Sequence, residues 1–395
     1  MKVLVIHSEL GVLRGGGENF TRNLFSAFAS RGHEVKAAFL ADNKRNYPIP
    51  LPSNIEPIPI PGWWSRNAGQ RAFSSIRHHL PCKDRFRVGW DRLQEAVSWR
   101  IIKWHDRRFQ RRVERDFAHK WDEFDAVYVH ASPLLASKIA RRRPTILRLP
   151  GPTTADMAPI LRAVHAVCAN GDVLKLIREF LGDHAVELPI GVDSARFRPE
   201  GPSIRSDLNW NEADRVIGYV GRLTHLKGVD LLASAFHEIS HIVPYVKLLM
   251  VGSGAEEKFI RSVLGKHIAR GVVHIEPDVD HEQLANWYRT MDLFVMPSRY
   301  ENFSNATLEA MACGIPVLAS DIGGNRISCG NGRGWLFEPG SISSLSLSIQ
   351  HTLQSRAEMD ARGHSAANYA RDCCAWTNSA QALERVFVSR LGVPA

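Results

Sequence analysis

Two glutamates eight residues apart occupy the segment with the clearest chemical potential. Glu301 follows the apolar run Leu293–Met296, and Glu309 lies about one turn inside the next predicted helix. The free N–H groups at the start of a helix donate hydrogen bonds to phosphate oxygens. One carboxylate can then face sugar hydroxyls while the other accepts both hydroxyls of a ribose. Gly314 and Pro316 close the predicted helix and favour this interpretation.

Two cations five residues apart follow another apolar run. Arg222 and Lys227 lie in the segment GRLTHLKG, which comes directly after Val216–Val220. Arginine offers a planar fork of donors and lysine a point charge, and such a pair can clamp a diphosphate. A solvated loop without a ligand is the alternative for this segment.

A glycine-rich turn precedes the first predicted helix. Gly15, Gly16 and Gly17 follow the run Val3–Ile6 and stand before Glu18. Glycine allows backbone N–H groups to approach an anion, and the helix start adds a positive partial charge. The spacing is not that of a dinucleotide-binding fingerprint, so a structural turn and a phosphate contact both stay open.

Short apolar runs alternate with helical patterns along most of the chain. Runs that are apolar on consecutive positions predict parallel strands covered on both faces, joined by helical crossovers. A polar segment with prolines, Pro189–Asn211, separates two such series. The predicted class is therefore α/β, with two Rossmann-like doubly wound domains facing a central cleft, where ligands of such sheets bind. The runs are Val3–Ile6, Val35–Leu40, Ala126–Val129, Thr145–Leu149, Ala166–Ala169, Val186–Pro189, Val216–Val220, Val246–Val251, Val272–Ile275, Leu293–Met296 and Pro316–Ala319.

Residues 41–124 interrupt this alternation. Their early part is rich in proline, and we expect no regular structure there. From Asp91 the pattern becomes helical, with an apolar stripe along one face. The prolines are Pro48, Pro50, Pro52, Pro57, Pro59 and Pro61, and the stripe is Leu93, Val97, Ile101, Trp104, Phe109, Val113 and Phe117.

The same region contains the whole charge excess of the protein. Residues 61–120 hold 15 basic and 6 acidic side chains, whereas the formal net charge of the chain is +9. One interpretation is a solvated helical face whose stripe packs on the first domain. Another is contact with anionic lipid headgroups, because basic amphipathic helices with tryptophan lie in membrane interfaces. Nucleic acid is the least favoured partner, since no nucleic-acid-binding module is recognisable.

Composition excludes several classes of protein. With 395 residues, 44% hydrophobic and 23% charged, the chain is a globular protein of more than one domain and not a disordered one. No apolar run approaches the roughly 18 residues of a membrane-spanning helix. The segment Met1–Glu9 is too short for a signal-peptide core, so we expect a cytoplasmic protein with free thiols.

Metal binding is not expected. The chain has 17 histidines, and our interpretation is that none of them forms an HxxxH or comparable ligand spacing with acids. Asp278 and Asp280 form a DxD sequence, and Asp280 with Gln283 is interpreted as a capping box.

Several modest motifs in one order make the chain resemble a known family, the retaining, GT-B-fold glycosyltransferases of family 4 (glycosyl transferases group 1). Their combined order and spacing are far more specific than any single motif. The motifs are the glycine turn, Pro189–Asp193 with Phe197, Gly221–Leu223 with Lys227–Gly228, Val251–Gly254, Pro297–Ser298 with Glu301, Leu308–Ala312 with Gly314, and Gly323–Gly324.

The resemblance implies a role for each candidate residue. Glu301 meets the donor sugar and Glu309 the nucleotide ribose, while Arg222 and Lys227 hold the diphosphate. His130, at the end of an apolar run, matches the active-site histidine of the family. The implied catalytic residues are His130, Glu301, Arg222 and Lys227. The implied donor-binding residues are Gly16, Gly17, Arg222, Lys227, Glu301, Phe303, Ser304, Asn305, Thr307 and Glu309.

The resemblance also implies a reaction. A hexosyl group passes from a nucleotide-diphosphate donor to a hydroxyl acceptor with retention, without metal or cofactor, and the leaving phosphate helps to deprotonate the acceptor. The acceptor is expected to be a saccharide or a lipid-linked one, in polysaccharide, lipopolysaccharide or glycolipid synthesis at the inner face of the cell membrane. A sugar-nucleotide epimerase, a phosphorylase and a non-catalytic sugar-nucleotide-binding subunit are the alternatives.

The expected domain organisation follows the two series of runs. An acceptor-side domain covers 1–200 and includes the basic insertion 61–120. A nucleotide-sugar-binding domain covers 201–374. A last segment, 375–395, is expected to be a helix that packs back on the first domain.

Overall fold

The computed structural model describes residues 1–11, 15–41, 49–61 and 107–393. Internal contacts divide the chain into two compact units. Unit 1 comprises Met1–Ala169, Leu176–Leu188 and Ala380–Ala395, and unit 2 comprises Asn170–Lys175 and Pro189–Ser379. The expected domain bounds and the cleft between the domains stay predictions.

Unit 1 contains a seven-stranded parallel sheet in the order β3-β2-β1-β4-β5-β6-β7. Its inner strands are apolar on consecutive residues because helices cover both faces. The strands are β1 (Lys2–Ile6), β2 (Glu34–Ala41), β3 (Glu56–Pro61), β4 (Ala126–His130), β5 (Thr145–Arg148), β6 (Ala166–Ala169) and β7 (Ala185–Glu187). The helices are α1 (Gly16–Ala29), α2 (107–116), α3 (Pro133–Ile139), α4 (Ala158–Arg162) and α5 (Gly171–Leu181), the last of which begins within unit 2.

Unit 2 contains a six-stranded parallel sheet in the order β10-β9-β8-β11-β12-β13. The strands are β8 (Arg215–Val220), β9 (Val246–Val251), β10 (Val273–Glu276), β11 (Leu293–Met296), β12 (Val317–Ser320) and β13 (Gly334–Phe337). The helices are α6 (Val229–Ile239), α7 (Glu257–Ala269), α8 (Leu284–Tyr288), α9 (Asn305–Ala312), α10 (Gly323–Cys329), α11 (Ile342–Leu353), α12 (Arg356–Cys373) and α13 (Trp376–Leu391). Every predicted run overlaps a strand, and the prediction of two doubly wound parallel sheets is confirmed.

One prediction about the proline-rich region is wrong. Strand β3 contains Pro57, Pro59 and Pro61 and pairs in parallel with β2. These prolines stand at alternate positions, so the residues between them, Ile58 and Ile60, can donate to β2 while the proline nitrogens face away. Among the described strands β3 lies at the edge of the sheet, where proline is tolerated.

The described end of the basic insertion is an amphipathic helix. Phe109 and Val113 on α2, and Phe117 after it, are buried, as the stripe predicts, whereas Arg107 and Arg111 are exposed. The rest of the stripe, Leu93 to Trp104, and the possible lipid contact of this segment lie outside the described residues. No helix in the described ranges combines the length and apolar content that a membrane span requires.

The last helix, α13, belongs to unit 1 from Ala380 to its end. Phe387 packs against Phe28, with ring centroids 5.8 Å apart. Glu384 accepts hydrogen bonds from Arg31 Nε at 2.7 Å and Nη2 at 2.8 Å and is bonded to His33 Nε2 at 2.6 Å. The bonds from Arg31, and then from His33, lower the pKa of the Glu384 carboxyl despite its partial burial. This end of α13 is thus fixed by both apolar and ionic contacts.

Helix ends in unit 2 bear out one sequence expectation and correct another. Gly314 follows α9 with a φ of +77°, which is the left-handed cap that the sequence indicates. Asp280 does not cap a helix, because α8 begins only at Leu284. Its carboxylate accepts the backbone N–H of Glu282 at 3.2 Å and so stabilises the turn before α8.

Candidate functional site

Four loops meet at the carboxyl-terminal edge of the second sheet. A Cβ on Gly252, after β9, would lie 2.0 Å from the carbonyl oxygen of Gly221, after β8. A Cβ on Gly228 would lie 1.8 Å from the oxygen of Pro297, and one on Gly323 would lie 2.1 Å from the oxygen of Glu301. Only glycine allows these backbones to approach so closely. The motif glycines therefore bring together the loops that follow β8, β9, β11 and β12.

The centre of this edge is an ion pair between two predicted site residues. Lys227 ends a short 3-10 turn, His225–Lys227, and its Nζ lies 2.5 Å from Glu301 Oε2. The Glu301 side chain is 8% exposed and that of Lys227 22%. The Ser298 hydroxyl donates to the same carboxylate oxygen at 3.5 Å. A cation and an acceptor are therefore held side by side, each with a fraction of its surface open to a ligand.

Arg222 lies in the same loop as Lys227, directly after Gly221, whose φ is +150°. The buried Tyr219 hydroxyl donates to the Arg222 carbonyl oxygen at 2.9 Å, which fixes the backbone at this point. The Arg222 side chain is exposed. Because β8 and β11 are neighbours in the sheet, this loop and the Glu301 loop leave the same edge from adjacent strands.

The start of α9 supplies uncharged donors at the same edge. Ser304 is the N-cap, and its Oγ accepts the backbone N–H of Thr307 at 3.2 Å. Asn305 is the first residue of the helix, and Phe303 just before it is half-buried. Thr307 is buried, and its Oγ1 has no hydrogen-bond partner among the described residues. This N-terminus offers N–H and hydroxyl groups to an anion.

Glu309 lies further along α9, on the inner side of the helix. The Tyr288 hydroxyl donates to Glu309 Oε2 at 2.8 Å. Burial raises the pKa of the Glu309 carboxyl to about 7, although the Tyr288 bond and the charge of Arg196 act in the opposite direction. The Glu309 side chain is partly exposed, so its carboxylate has little contact with water but is still accessible to a ligand. Such a group can accept hydrogen bonds from a diol.

An arginine clamp that sequence reasoning did not single out supports these loops. Arg299 forms a two-pronged ion pair with Asp230, at 2.6 and 2.7 Å, and donates to the carbonyl oxygen of His225 at 2.7 Å. Burial raises the pKa of Asp230, but the hydrogen bonds and charge of Arg299, a backbone hydrogen bond and the charge of His225 together outweigh it and lower that pKa. The clamp ties the turn that holds Lys227 to the loop that holds Glu301.

Unit 1 has its own polar cluster, again where parallel strands end. His130, at the end of β4, stacks on His7, directly after β1, with ring centroids 3.9 Å apart and planes 11° apart. The Thr21 hydroxyl lies 3.0 Å from His7 Nδ1 and 3.5 Å from His130 Nδ1. A Cβ on Gly17 would lie 3.1 Å from His130 Nε2. The glycine turn and the candidate histidine are therefore in direct contact.

The charges around His130 favour its neutral form. Burial, followed by the positive charges of His7 and Arg148, lowers the pKa of His130 well below its ordinary value. Glu18 Oε1 lies 3.6 Å from His7 Nε2. Burial raises the pKa of Glu18, but the hydrogen bond and charge of His7 together with further hydrogen bonds lower it overall. His130 is thus a neutral imidazole at pH 7, able to donate or accept a single hydrogen bond.

The sequence contains a pattern that indicates this cluster, and the prediction used only part of it. His7, His130 and Arg148 each stand at the end of one of three adjacent strands, β1, β4 and β5. Glu18 and Thr21 come from α1, which begins at Gly16. Polar residues that end neighbouring buried strands meet at one edge of a sheet, and only His130 was predicted to matter here.

The expectation that no two histidines have the HxxxH spacing is wrong. His237 and His241 stand four residues apart, so the chain does contain the HxxxH spacing that sequence reasoning did not assign. His267 is close to both in the structure.

Comparison with known proteins agrees with the geometry of unit 2. Residues 201–371 match the family model "Glycosyl transferases group 1". These residues include Arg222, Lys227, Glu301 and Glu309. The matched part is less than half of the chain, and it lies within the half that carries the ion pair and α9.

Curated relatives align with short parts of the chain. A D-inositol 3-phosphate glycosyltransferase of Segniliparus rotundus is 37% identical over 142 residues, 35% of this chain and 32% of that protein. A GDP-mannose-dependent alpha-mannosyltransferase of Corynebacterium glutamicum is 35% identical over 136 residues, 34% of this chain and 30% of that protein. The lipopolysaccharide core biosynthesis mannosyltransferase LpsB of Rhizobium meliloti is 30% identical over 141 residues, 34% of this chain and 39% of that protein. The chain thus spans about a third of the length of these relatives.

Solved structures match over the full length. Sucrose-phosphate synthase of Thermosynechococcus elongatus covers 100% of both chains with a TM-score of 0.77 and 18% identity. The Alr3699/HepE protein of Anabaena, in complex with UDP-glucose, covers 98% of this chain and 100% of its own, with a TM-score of 0.68 and 19% identity. At this identity the likeness establishes the fold. The expected α/β fold with two Rossmann-like domains, as in GT-B glycosyltransferases, is confirmed.

Proposed function

We propose that this protein is a retaining glycosyltransferase that moves a hexosyl group from a nucleotide-diphosphate donor to a hydroxyl acceptor without a metal. The observation that carries the proposal is the Lys227–Glu301 pair beside the start of α9, at the carboxyl-terminal edge of the second sheet. The family match over this unit and the names of the relatives support it.

The diphosphate is bound by cations and helix donors. The guanidinium of Arg222 donates two hydrogen bonds to oxygens of the diphosphate, and Lys227 contributes a second positive charge. The N-terminus of α9, from Ser304 to Thr307, adds N–H groups. Lys227 is shared between Glu301 and the phosphates when the donor is bound. Its pairing with Glu301 holds the ammonium group in position before the donor arrives.

The two carboxylates bind hydroxyl groups of the donor. Glu301 is buried at the edge of the sheet and accepts hydrogen bonds from the sugar. Glu309, held by Tyr288, accepts the hydroxyls of the ribose. Because the pKa of Glu309 is about 7, its acceptor capacity is complete only above neutral pH.

The reaction breaks the bond between the anomeric carbon and the leaving phosphate oxygen and forms a bond to the acceptor oxygen on the same face. The acceptor proton passes to the leaving phosphate. The contribution of the protein is to stabilise the negative charge that grows on that phosphate, and Arg222, Lys227 and α9 provide this stabilisation. His130, as a neutral imidazole, contacts the sugar or the position where transfer occurs.

The proposed setting is the synthesis of cell-surface polysaccharide, lipopolysaccharide or glycolipid. The relative from Rhizobium meliloti is named for lipopolysaccharide core biosynthesis, which supports such an acceptor. The proposed location is the cytoplasm, at the inner face of the membrane, with the basic insertion 61–120 contacting anionic lipid.

A donor screen tests the proposal. Thermal unfolding is measured with UDP-, GDP- and ADP-sugars, because a ligand that binds only the folded state raises the melting temperature by mass action. We expect one class of donor to raise it for the wild-type protein and for the exposed-surface control Lys258→Ala, but much less for Lys227→Ala. NMR of the product of the active donor should show the anomeric configuration of the donor, and activity should survive EDTA. An inverted product, or no stabilisation by any donor, would contradict the proposal.

A further inference from the structure

A cluster of three histidines lies outside the candidate donor site, on helices α6 and α7 of unit 2. His237 is in the last turn of α6, His241 follows the end of that helix, and His267 is near the end of α7. One ligand atom of each residue lies within 4.8 Å of the others. His237 and His241 are exposed, whereas His267 is 7% exposed.

The local backbone brings the three rings to one point. Residues four apart on a helix face the same side, and Ser240 after α6 keeps a helical φ of −60° and ψ of −18°, so His241 continues the face of His237. Their ring centroids are 5.5 Å apart. His267 faces both from the neighbouring helix, at 5.5 Å from His237 and 6.0 Å from His241.

The spacing of the nitrogens fits a small tetrahedral cation. In a tetrahedral zinc site with metal–nitrogen bonds of about 2.0–2.1 Å, two nitrogen ligands lie about 3.3–3.4 Å apart. His237 Nδ1 and His267 Nε2 are 3.3 Å apart. His241 is exposed, and one of its ring nitrogens lies within 4.8 Å of those of the other two histidines.

Burial, followed by the charges of His237, His241 and Arg270, lowers the pKa of His267. A metal binds the neutral imidazole, whereas the positive charge of Arg270 opposes an added cation.

The sequence around His237 reads H-E-I-S-H, which has the form of the zinc peptidase motif. In that motif the glutamate acts as a general base beside the metal. Here Glu238 accepts a hydrogen bond from the Ser346 hydroxyl of α11 at 2.7 Å. The Glu238 carboxylate is therefore hydrogen-bonded to a neighbouring helix, and peptidase chemistry does not follow from the motif.

We infer that His237, His241 and His267 form a binding site for a divalent transition-metal ion, with Zn²⁺ as the preferred occupant and water as the fourth ligand. Three imidazoles suit Zn²⁺ rather than Mg²⁺ or Ca²⁺, which take oxygen ligands. A bound ion joins the end of α6 to α7. The site is separate from the proposed sugar transfer, and it holds whether or not that proposal does.

Calorimetric titration with Zn²⁺ at pH 7.5 tests the inference on the full-length protein. The wild-type protein and His351→Ala, which removes an exposed histidine of α11, should each bind one ion that His241→Ala and His237→Ala lose or bind at least about tenfold more weakly. The comparison accounts for Cys373, which is the same in all four proteins, and His351→Ala measures the effect of removing a histidine outside the cluster. Circular dichroism establishes that each variant is folded.

Two further readouts sharpen the test. Added Zn²⁺ should raise the melting temperature of the wild-type protein and not that of His241→Ala, because the ion binds the folded site. Binding should weaken as the pH falls below about 6.5, where imidazoles take up protons. Titration curves that are the same for the wild-type protein and for both cluster variants would overturn the inference, and the three histidines would then be a hydrogen-bonded surface cluster only.

Discussion

The two units place polar residues at the same position of the same architecture, but these residues differ in charge and in exposure. In each unit the residues stand where parallel strands end and the next helix begins. In unit 2 the pair Lys227–Glu301 is ionic and partly open, and Arg222 beside it is exposed. In unit 1 the pair His7–His130 is a buried stack, and His130 is neutral.

This difference indicates what each site can bind. An open arrangement of cations and helix N–H groups suits a multiply charged phosphate, which loses little by leaving water for such donors. A buried neutral imidazole cannot repay the desolvation of such an anion, but it can hydrogen-bond a single hydroxyl. The same strand-to-helix junction is therefore suited to a charged group in one unit and to an uncharged group in the other.

The largest effect is expected from the cations of unit 2. Lys227→Ala or Arg222→Ala should lower kcat/KM by about 10²–10³, the usual scale for one preorganised charge-stabilising group. Steady-state kinetics with the active donor measures this loss, and Lys258→Ala is the control. Near-normal turnover in both variants would remove the phosphate role and with it the contrast between the units.

Two glycine substitutions compare how tightly the backbone is packed at the two strand-to-helix junctions. Gly228→Ala should cost about 2–4 kcal/mol of unfolding free energy, because its φ is +65° and the new Cβ would meet Pro297 O. Gly17→Ala should change stability by less than about 1 kcal/mol, since the gain in helix propensity offsets a mild contact with His130. Urea unfolding measures both, and equal losses would show that the two turns are equally tight.

The smallest effects are expected in the pH dependence of stability, with opposite signs in the two units. The pKa of Glu309 is raised, so the folded state holds its proton more firmly, and the associated stability is lost as the pH rises from 4.5 through about 7. The pKa of His130 is lowered, so its associated stability is lost as the pH falls below 6.5. Glu309→Gln should flatten the first slope and His130→Gln the second. Melting curves across pH 4.5–8 measure both, and slopes unchanged by the substitutions would contradict these pKa directions.

Much of the fold could be predicted because apolar runs of four to six residues leave few alternatives to buried parallel strands. Val246–Val251 and Leu293–Met296 were located to the residue. Strand β3 was missed, because proline excludes a central strand but not an edge strand, and edge position depends on the order of strands in space. The short strand β13, with a glycine and a tryptophan, has no comparable apolar run.

The candidate site divides in a similar way. The family resemblance placed Lys227 and Glu301 in one site, whereas the residues alone do not, because their meeting depends on β8 and β11 being neighbours in the sheet. The pairing of Arg299 with Asp230 could not be predicted, since neither position has a distinctive pattern. The stack of His7 on His130 depends on which strands are neighbours, and so does the approach of His267 to His237. The sequence shows that such residues are present but does not determine which of them come into contact.

The proline pattern of β3 has a consequence for how the protein behaves among copies of itself. An exposed strand edge is a template on which another chain can add a strand, and this is a common start of aggregation. With nitrogens at positions 57, 59 and 61 that carry no hydrogen, the outer margin of β3 offers acceptors but few donors. An incoming strand would lack the hydrogen bonds that these nitrogens would otherwise donate, so β3, the last of the described strands on this side, is a poor template for a further strand.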